Sequence, residues 1–415
     1  MARRTGRKVY RNSVNAKKKR AKKVAGVFIS ILAILVLVFI GYSIAKPIYN
    51  YFSTESNNQE QVLPWTPPVA ETPENDSENQ ENKTEENIAS SDNDSQPVSE
   101  EKTSDKNIEN GFTAYKLPED ALTSQSKLNA YIDQAKSEGY NAVLVTMKSE
   151  GGKINYASES EFAAKDENVI AGTLTAKQIA DSIKSNDMYA LAVINTLEDN
   201  NRYGENRDGS YHALDGSTWL DNSVANGGKP WLSPFDNDTV SYVAFLVNEV
   251  TTAGFDAVVN DGLSFPPFRN SDLNLIGDTV KSSDRNKALI NVLNVSNSVT
   301  SSRQIENILT VNAADIINGR EEVFAPHLLD ENYPVIVEFL TDEFNTTIVY
   351  NNQEIVLSDL SDSEKFDVIL TIIKELSANK LKLIPSIRHN DYDQAEFDKI
   401  ITILINEGYS AYIVQ

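Results

Sequence analysis

The sequence predicts an α/β fold closed as a (β/α)8 TIM barrel over residues 111–415, and three observations lead there. Short apolar runs alternate with amphipathic ones along this stretch. The apolar runs are near-continuous, as parallel strands covered on both faces require. There are eight of them, which favours a closed barrel over an open doubly wound sheet, and the length suits one such domain.

In chain order, the strands are expected near Phe112–Lys116, Ala142–Lys148, Tyr189–Thr196, Ala257–Asp261, Ile308–Asn312, Pro334–Leu340, Leu381–Ile387 and Ser410–Val414. Helical periods between them are clearest at Leu128–Gly139, Ala176–Asn186, Thr239–Gly254, Glu364–Lys380 and Phe397–Gly408. Three of these end in Gly just before a strand, the position where a left-handed C-cap excludes most side chains. The last strand ends at Gln415, so the flank of an eighth helix is expected to be covered by another segment or left to a partner.

Ahead of the barrel, charge is sharply divided. Residues 1–23 carry eleven Lys and Arg and no acid, although the whole chain has a net charge of -22. Val24–Ala45 follows, 22 residues without a charge, about 33 Å long as a helix and sufficient to cross a bilayer. The basic flank places the N-terminus on the cytoplasmic side and the rest outside, as an uncleaved single-pass anchor. A cleaved signal peptide fits less well, because its apolar core is shorter and SIAKPIY is a poor cleavage site. Residues 46–110 form an expected disordered acidic linker; within 50–109 there are 15 acids, 3 bases and little to bury, a composition that cannot repay the entropy of folding.

Composition also narrows the chemistry. There is no Cys and only His212, His327 and His389, so neither a disulfide framework nor a structural zinc site is expected. No Gly-rich dinucleotide or P-loop motif follows a strand, and no cofactor is expected. The acidic balance disfavours nucleic acid, whose affinity comes mostly from Lys and Arg on phosphates.

Four segments carry a family resemblance: YNAVLVTMKSEGGKINYAS (140–158), STWLDNSVANGGKPWLSPFDNDTVSYV (217–243), GFDAVVNDGLSFP (254–266), and LKLIPSIR (381–388) with GYSAYIVQ (408–415). Together they resemble the bacterial "putative glycosyl hydrolase domain" family of TIM-barrel glycosidases. The resemblance implies a barrel acting on polysaccharide of the cell envelope or outside it. Lys148, Gly152, Lys153, Tyr156, Asp261, Trp219, Asp221 and the Trp231–Leu232–Pro234 cluster match the family pattern. Thr146, Val193 and Ser264 stand where that pattern has an Asp, an Arg and an Arg, and Glu338–Glu343 replaces its sixth-strand motif.

Barrel active sites lie at the C-terminal ends of the strands, and glycoside hydrolysis commonly needs a protonated carboxyl and an ionised one. Asp261, ending the fourth strand, is the first candidate. Glu338, on the sixth strand with parity opposite to Val335 and Val337, is the second; Asp315 and Glu198 are weaker choices. Lys148, Trp219, Asp221, Trp231, Asn260 and Arg388 are candidate substrate-binding residues, with Trp rings suited to stacking on sugars. Each has a structural reading: Asp261 as the cap of the turn at Gly262, Glu338 as an ion-pair partner of Lys148 or Arg388, and the two Trp as packing for the long loop. Two functional readings stay open, an active glycosidase and a non-catalytic barrel that binds glycan or an envelope protein.

Overall fold

The computed structural model describes residues 110–159, 169–200, 209–277, 280–281, 284–319, 329–344, 346–377 and 380–415. The expected cytoplasmic tail, membrane span and nearly all of the linker lie outside the described residues, as does His327. Among the described residues, no helix is long and apolar enough to cross a membrane.

The described residues form ten strands: β1 Phe112–Lys116, β2 Ala142–Lys148, β3 Tyr189–Asn195, β4 Ala257–Asp261, β5 Glu306–Asn312, β6 Pro334–Phe339, β7 Thr347–Tyr350, β8 Gln353–Val356, β9 Lys382–Ile387 and β10 Ala411–Val414. All but β7 and β8 pair in parallel around a closed eight-stranded barrel, in chain order. The connecting helices are α1 Gln125–Ser137, α2 Ala176–Lys184, α3 Asn237–Thr252, α4 Asn270–Ile276, α5 Arg285–Ser301, α6 Ala313–Asn318, α7 Asp362–Leu376 and α8 Gln394–Asn406. The eight expected strands fall within two residues of these barrel strands. Gly139, Gly254 and Gly408 adopt φ of +92°, +99° and +81° just past α1, α3 and α8, where L side chains are strained. Ser124, Thr175, Asp236, Asp284, Ser361 and Asp393 cap the helix starts through their side chains, each worth about 1 kcal/mol.

The antiparallel β7–β8 hairpin, absent from the expected strands, sits in the connection between β6 and α7 and turns through Asn351 and Asn352 at φ +51° and +59°. On the outer side of the β10–β1 pair, Tyr115, Tyr140 and Tyr412 are half-buried, and the first two rings stand 5.4 Å apart.

The strand registers fix how the interior is filled. Followed around the barrel, they close with a stagger of one residue per strand, so inward side chains form layers of four from alternate strands. Ala114, Leu191, Ile308 and Ile384 make one layer, and Leu144, Val259, Ile336 and Ile413 make the next; all eight are buried. Each of these large aliphatics contributes about 1.5–3 kcal/mol by leaving water. Toward the C-terminal end the character changes. Lys116, Val193, Thr310 and Ser386 form a mixed layer, and Thr146, Asp261, Glu338 and Gln415 form a wholly polar one.

Candidate functional site

The polar layer opens into a cleft of about 430 Å³ whose lining includes Lys116, Thr146, Glu150, Asn195, Asp261 and Gln415. Asp261 ends β4 on the inward parity of Ala257 and Val259. Its Oδ1 accepts the Gly262 backbone N–H at 2.9 Å, so it caps that turn while facing the cleft. Gly262 is held at φ +57°, and a Cβ there would come within 2.6 Å of the Asn195 amide; the tight turn keeps Asn195 beside Asp261.

Burial and then the like charge of Glu338 push the Asp261 carboxyl up to about 6, with Lys116 and the Gly262 N–H pulling the other way and Glu150 adding to the rise. Glu338 shares the inward parity of Ile336 and reaches the same layer from β6. Its Oε1 accepts Gln415 Nε2 at 2.6 Å, and Gln415 Oε1 in turn accepts Lys116 Nζ at 3.2 Å. Glu338 is thus partnered by Gln415 rather than by the Lys148 or Arg388 considered from sequence.

Lys148 is buried, as is its ion-pair partner Asp199, with Nζ 3.0 Å from Oδ2. The same ammonium donates to the Asn195 carbonyl at 2.7 Å and stands 5.8 Å from the Tyr242 ring centre. A bulge between Thr146 and Lys148 shifts the β2–β3 register at this point. Gly152 sits against the pair at φ +87°, and any Cβ there would lie 2.0 Å from Asp199 Oδ1. Lys148 therefore fixes the floor between β2 and β3, holding a charged pair that only close mutual contact makes tolerable.

A second pair of acids stands above Asp261. The loops after β2 and β3 are joined by Gly151 N–H to Glu198 O and Asn200 N–H to Gly151 O, both at 3.2 Å. This brings Glu150 beside Glu198. Burial, then the charge of Glu150 and a hydrogen bond with it, push Glu198 up to about 7; Lys229 opposes and Asp261 adds to the rise. Glu150 was not among the sequence candidates, and neither were Lys116 and Gln415. The available signal for the last two was their place at the inward parity of β1 and β10, which acquires meaning only once the registers are known.

Other candidates stand apart from the cleft. Asn260 has the opposite parity to Asp261, so it points to the outside of the wall. It is buried there, donating to Asn307 Oδ1 at 2.8 Å in a polar network with Ser296, Asn297 and Tyr333. Trp219 and Trp231 are buried in the long loop after β3. Trp219 packs against Phe268 and Tyr211 at 5.0 and 5.9 Å, and Trp231 Nε1 donates to Asp221 Oδ2 at 3.2 Å. Asp221 also accepts the Lys229 backbone N–H at 2.7 Å, so this trio organises the loop. Arg388 is exposed just past β9, on the parity of Ser386. Asp315 lies in the first turn of α6, beyond β5. Among the described residues, no group of three or more His, Cys, Asp or Glu is arranged to hold a metal ion.

The closed parallel barrel thus gathers carboxyls at its C-terminal mouth. Residues 115–318, just under half of the chain, match the family model described as "Putative glycosyl hydrolase domain", so this stretch is glycosyl hydrolase-like. Among solved structures, it is similar to the PgaB (BpsB) glycoside hydrolase domain from Bordetella bronchiseptica. Identity is 11%, the match covers 74% of this chain and 93% of that one, and the TM-score is 0.50. That likeness shows the fold. Two others fall below it: a hypothetical protein from Ruminiclostridium thermocellum, at 18% identity, 44% and 90% coverage and TM-score 0.38, and the catalytic domain of a β-amylase from Paenibacillus polymyxa, at 11%, 74% and 92%, and 0.44. No curated protein matches the chain.

Proposed function

We propose that the barrel is a glycoside hydrolase acting on cell-envelope or extracellular polysaccharide, with Asp261 as the acid and Glu338 as its ionised partner. The observation that carries this reading is that both carboxyls belong to one four-residue layer at the mouth of the barrel. Strands two apart lie about 9–10 Å from each other. Side chains converging on the axis shorten this, toward the roughly 5–9.5 Å over which glycosidase carboxyl pairs work. In that role Asp261 delivers its proton to the glycosidic oxygen as the C–O bond breaks, and the leaving sugar departs as an alcohol. Glu338 either takes a proton from the water that attacks the anomeric carbon or attacks that carbon itself, forming an ester that water then hydrolyses. The basic tail, apolar run and acidic linker support placement of the barrel outside a membrane, tethered near its substrate.

Incubation of the full-length protein with cell-wall and capsular polysaccharide fractions tests the reading through the release of reducing ends. Wild type is expected to release product, and Asp261→Asn and Glu338→Gln to lose about 10²–10⁴-fold. The departures from the family pattern at Thr146, Val193 and Ser264 favour the other reading, a recognition module. Binding without product, unchanged in both variants, would establish that one instead.

A further inference from the structure

Gln415 completes the polar layer, and its amide joins two groups of opposite charge. Oε1 accepts from Lys116 Nζ at 3.2 Å, while Nε2 donates to Glu338 Oε1 and to Ser386 Oγ, each at 2.6 Å. Chemistry dictates this orientation, because an ammonium has only protons to offer and must meet the carbonyl end of the amide. The NH2 end is thereby aimed at Glu338. A carboxylate that receives an N–H is stabilised in its charged form. Two neighbouring carboxyls in one layer resist ionising together, so the pair tends to keep one proton, and local donors decide where it resides.

We propose that Gln415 is a positioning residue that holds Glu338 as the anion and so leaves the proton of the pair on Asp261. The inference rests on the glycosidase reading above and gives each carboxyl its role. The charged groups that bear on Asp261 are Glu338 from β6, Lys116 from β1, and Glu150 and Glu198 from the loops after β2 and β3. Lys116, Glu150 and Glu198 bear on Asp261 through space, whereas Gln415 touches Glu338 directly. Lys116 has a second part in the arrangement, since its ammonium is what turns the amide toward Glu338.

The test is a carboxyl-carbon NMR titration of Asp261 in the full-length protein labelled with 13C-aspartate, its signal assigned by its loss in Asp261→Asn. Wild type is compared with Gln415→Met, which keeps bulk but removes both amide bonds, and with Gln415→Asn, too short to span Lys116 and Glu338. The Asp261 midpoint, about 6 in the wild type, is expected to fall by about one pH unit in both. That is the lower end of what loss of a charge-assisted hydrogen bond moves. If Gln415→Met does not fold, Gln415→Asn decides. A midpoint that stays put in a folded variant overturns the proposal, whether or not glycan is cleaved. Because the titration needs no substrate, a shifted midpoint in a protein that cleaves no glycan sustains the role of Gln415 and removes the glycosidase reading.

Discussion

Replacing Asp261 by Asn is expected to stabilise the barrel near pH 8 and to leave its stability unchanged near pH 4. The Asp261 carboxyl is raised to about 6 from its ordinary 3.8, chiefly by burial and Glu338. The folded chain therefore binds this proton more tightly than the unfolded chain does. As pH rises from 3.8 to 6, the unfolded chain has released the proton while the folded one still holds it, and stability falls. Above 6 both are ionised, and the folded chain carries the full penalty of a poorly housed carboxylate. At 1.36 kcal/mol per unit, a rise of about two units corresponds to about 3 kcal/mol. Water in the open cleft screens part of it, leaving about 1–3 kcal/mol. Asn removes the charge, and its Oδ1 can still accept the Gly262 N–H. With an unfolding entropy of about 0.6 kcal/mol/K for roughly 300 residues, the gain corresponds to about 2–5 °C in Tm. Urea unfolding at the two pH values reads it directly. Destabilisation by Asp261→Asn near pH 8, or an effect equal at both pH values, would refute the reasoning.

Three further outcomes follow from the same geometry. Lys148→Met leaves Asp199 buried without its ammonium and is expected to cost about 3–5 kcal/mol in urea unfolding. Adding Asp199→Leu should recover most of that, and a single variant of wild-type stability would contradict the buried pair. Trp219→Ala is expected to lower stability by about 3–5 kcal/mol while the folded fraction keeps its glycan affinity; the reverse pattern would make Trp219 a sugar platform. Glu150→Gln removes the like charge beside Glu198, so the Glu198 carboxyl, at about 7, should titrate at lower pH in a 13C-glutamate NMR experiment. An unmoved midpoint would mean that the two loops do not hold these acids together.

Much of the barrel was legible because its signals are local. Runs such as residues 142–145 and 189–194 are buried on both faces and apolar throughout, and Gly139, Gly254 and Gly408 mark caps that most side chains cannot adopt. Asp261 stood out by its place at the end of the fourth strand and by the family pattern, and Glu338 by its parity on the sixth; Asn260, also a candidate, lies one residue before Asp261 and so faces the outer side of the wall. The hairpin Thr347–Val356 escaped because its faces are largely exposed and lack a strong apolar run. The amphipathic signal of α5 is weakened by Asn and Ser on a helix that buries Ser296 and Thr300. Lys116 and Gln415 could not be recognised from spacing, since 299 residues separate them and only barrel closure brings them to Glu338. Asp199 and Glu150 depend on a backbone pairing between two loops that no periodicity announces. Stacking and packing both stayed open for Trp219 in the sequence, while Pro230 and Leu232 beside Trp231 favoured packing; both rings are buried.

The kcat/KM for polysaccharide cleavage by wild type, Asp261→Asn, Glu338→Gln and the double variant tests the pairing of the two carboxyls most directly. If the two carboxyls act as one unit, each single change costs at least about 10²-fold, and the double variant is no slower than the worse single within a few-fold. Single variants that retain wild-type turnover, or a double loss equal to the product of the two, would contradict the assignment of acid and partner to Asp261 and Glu338.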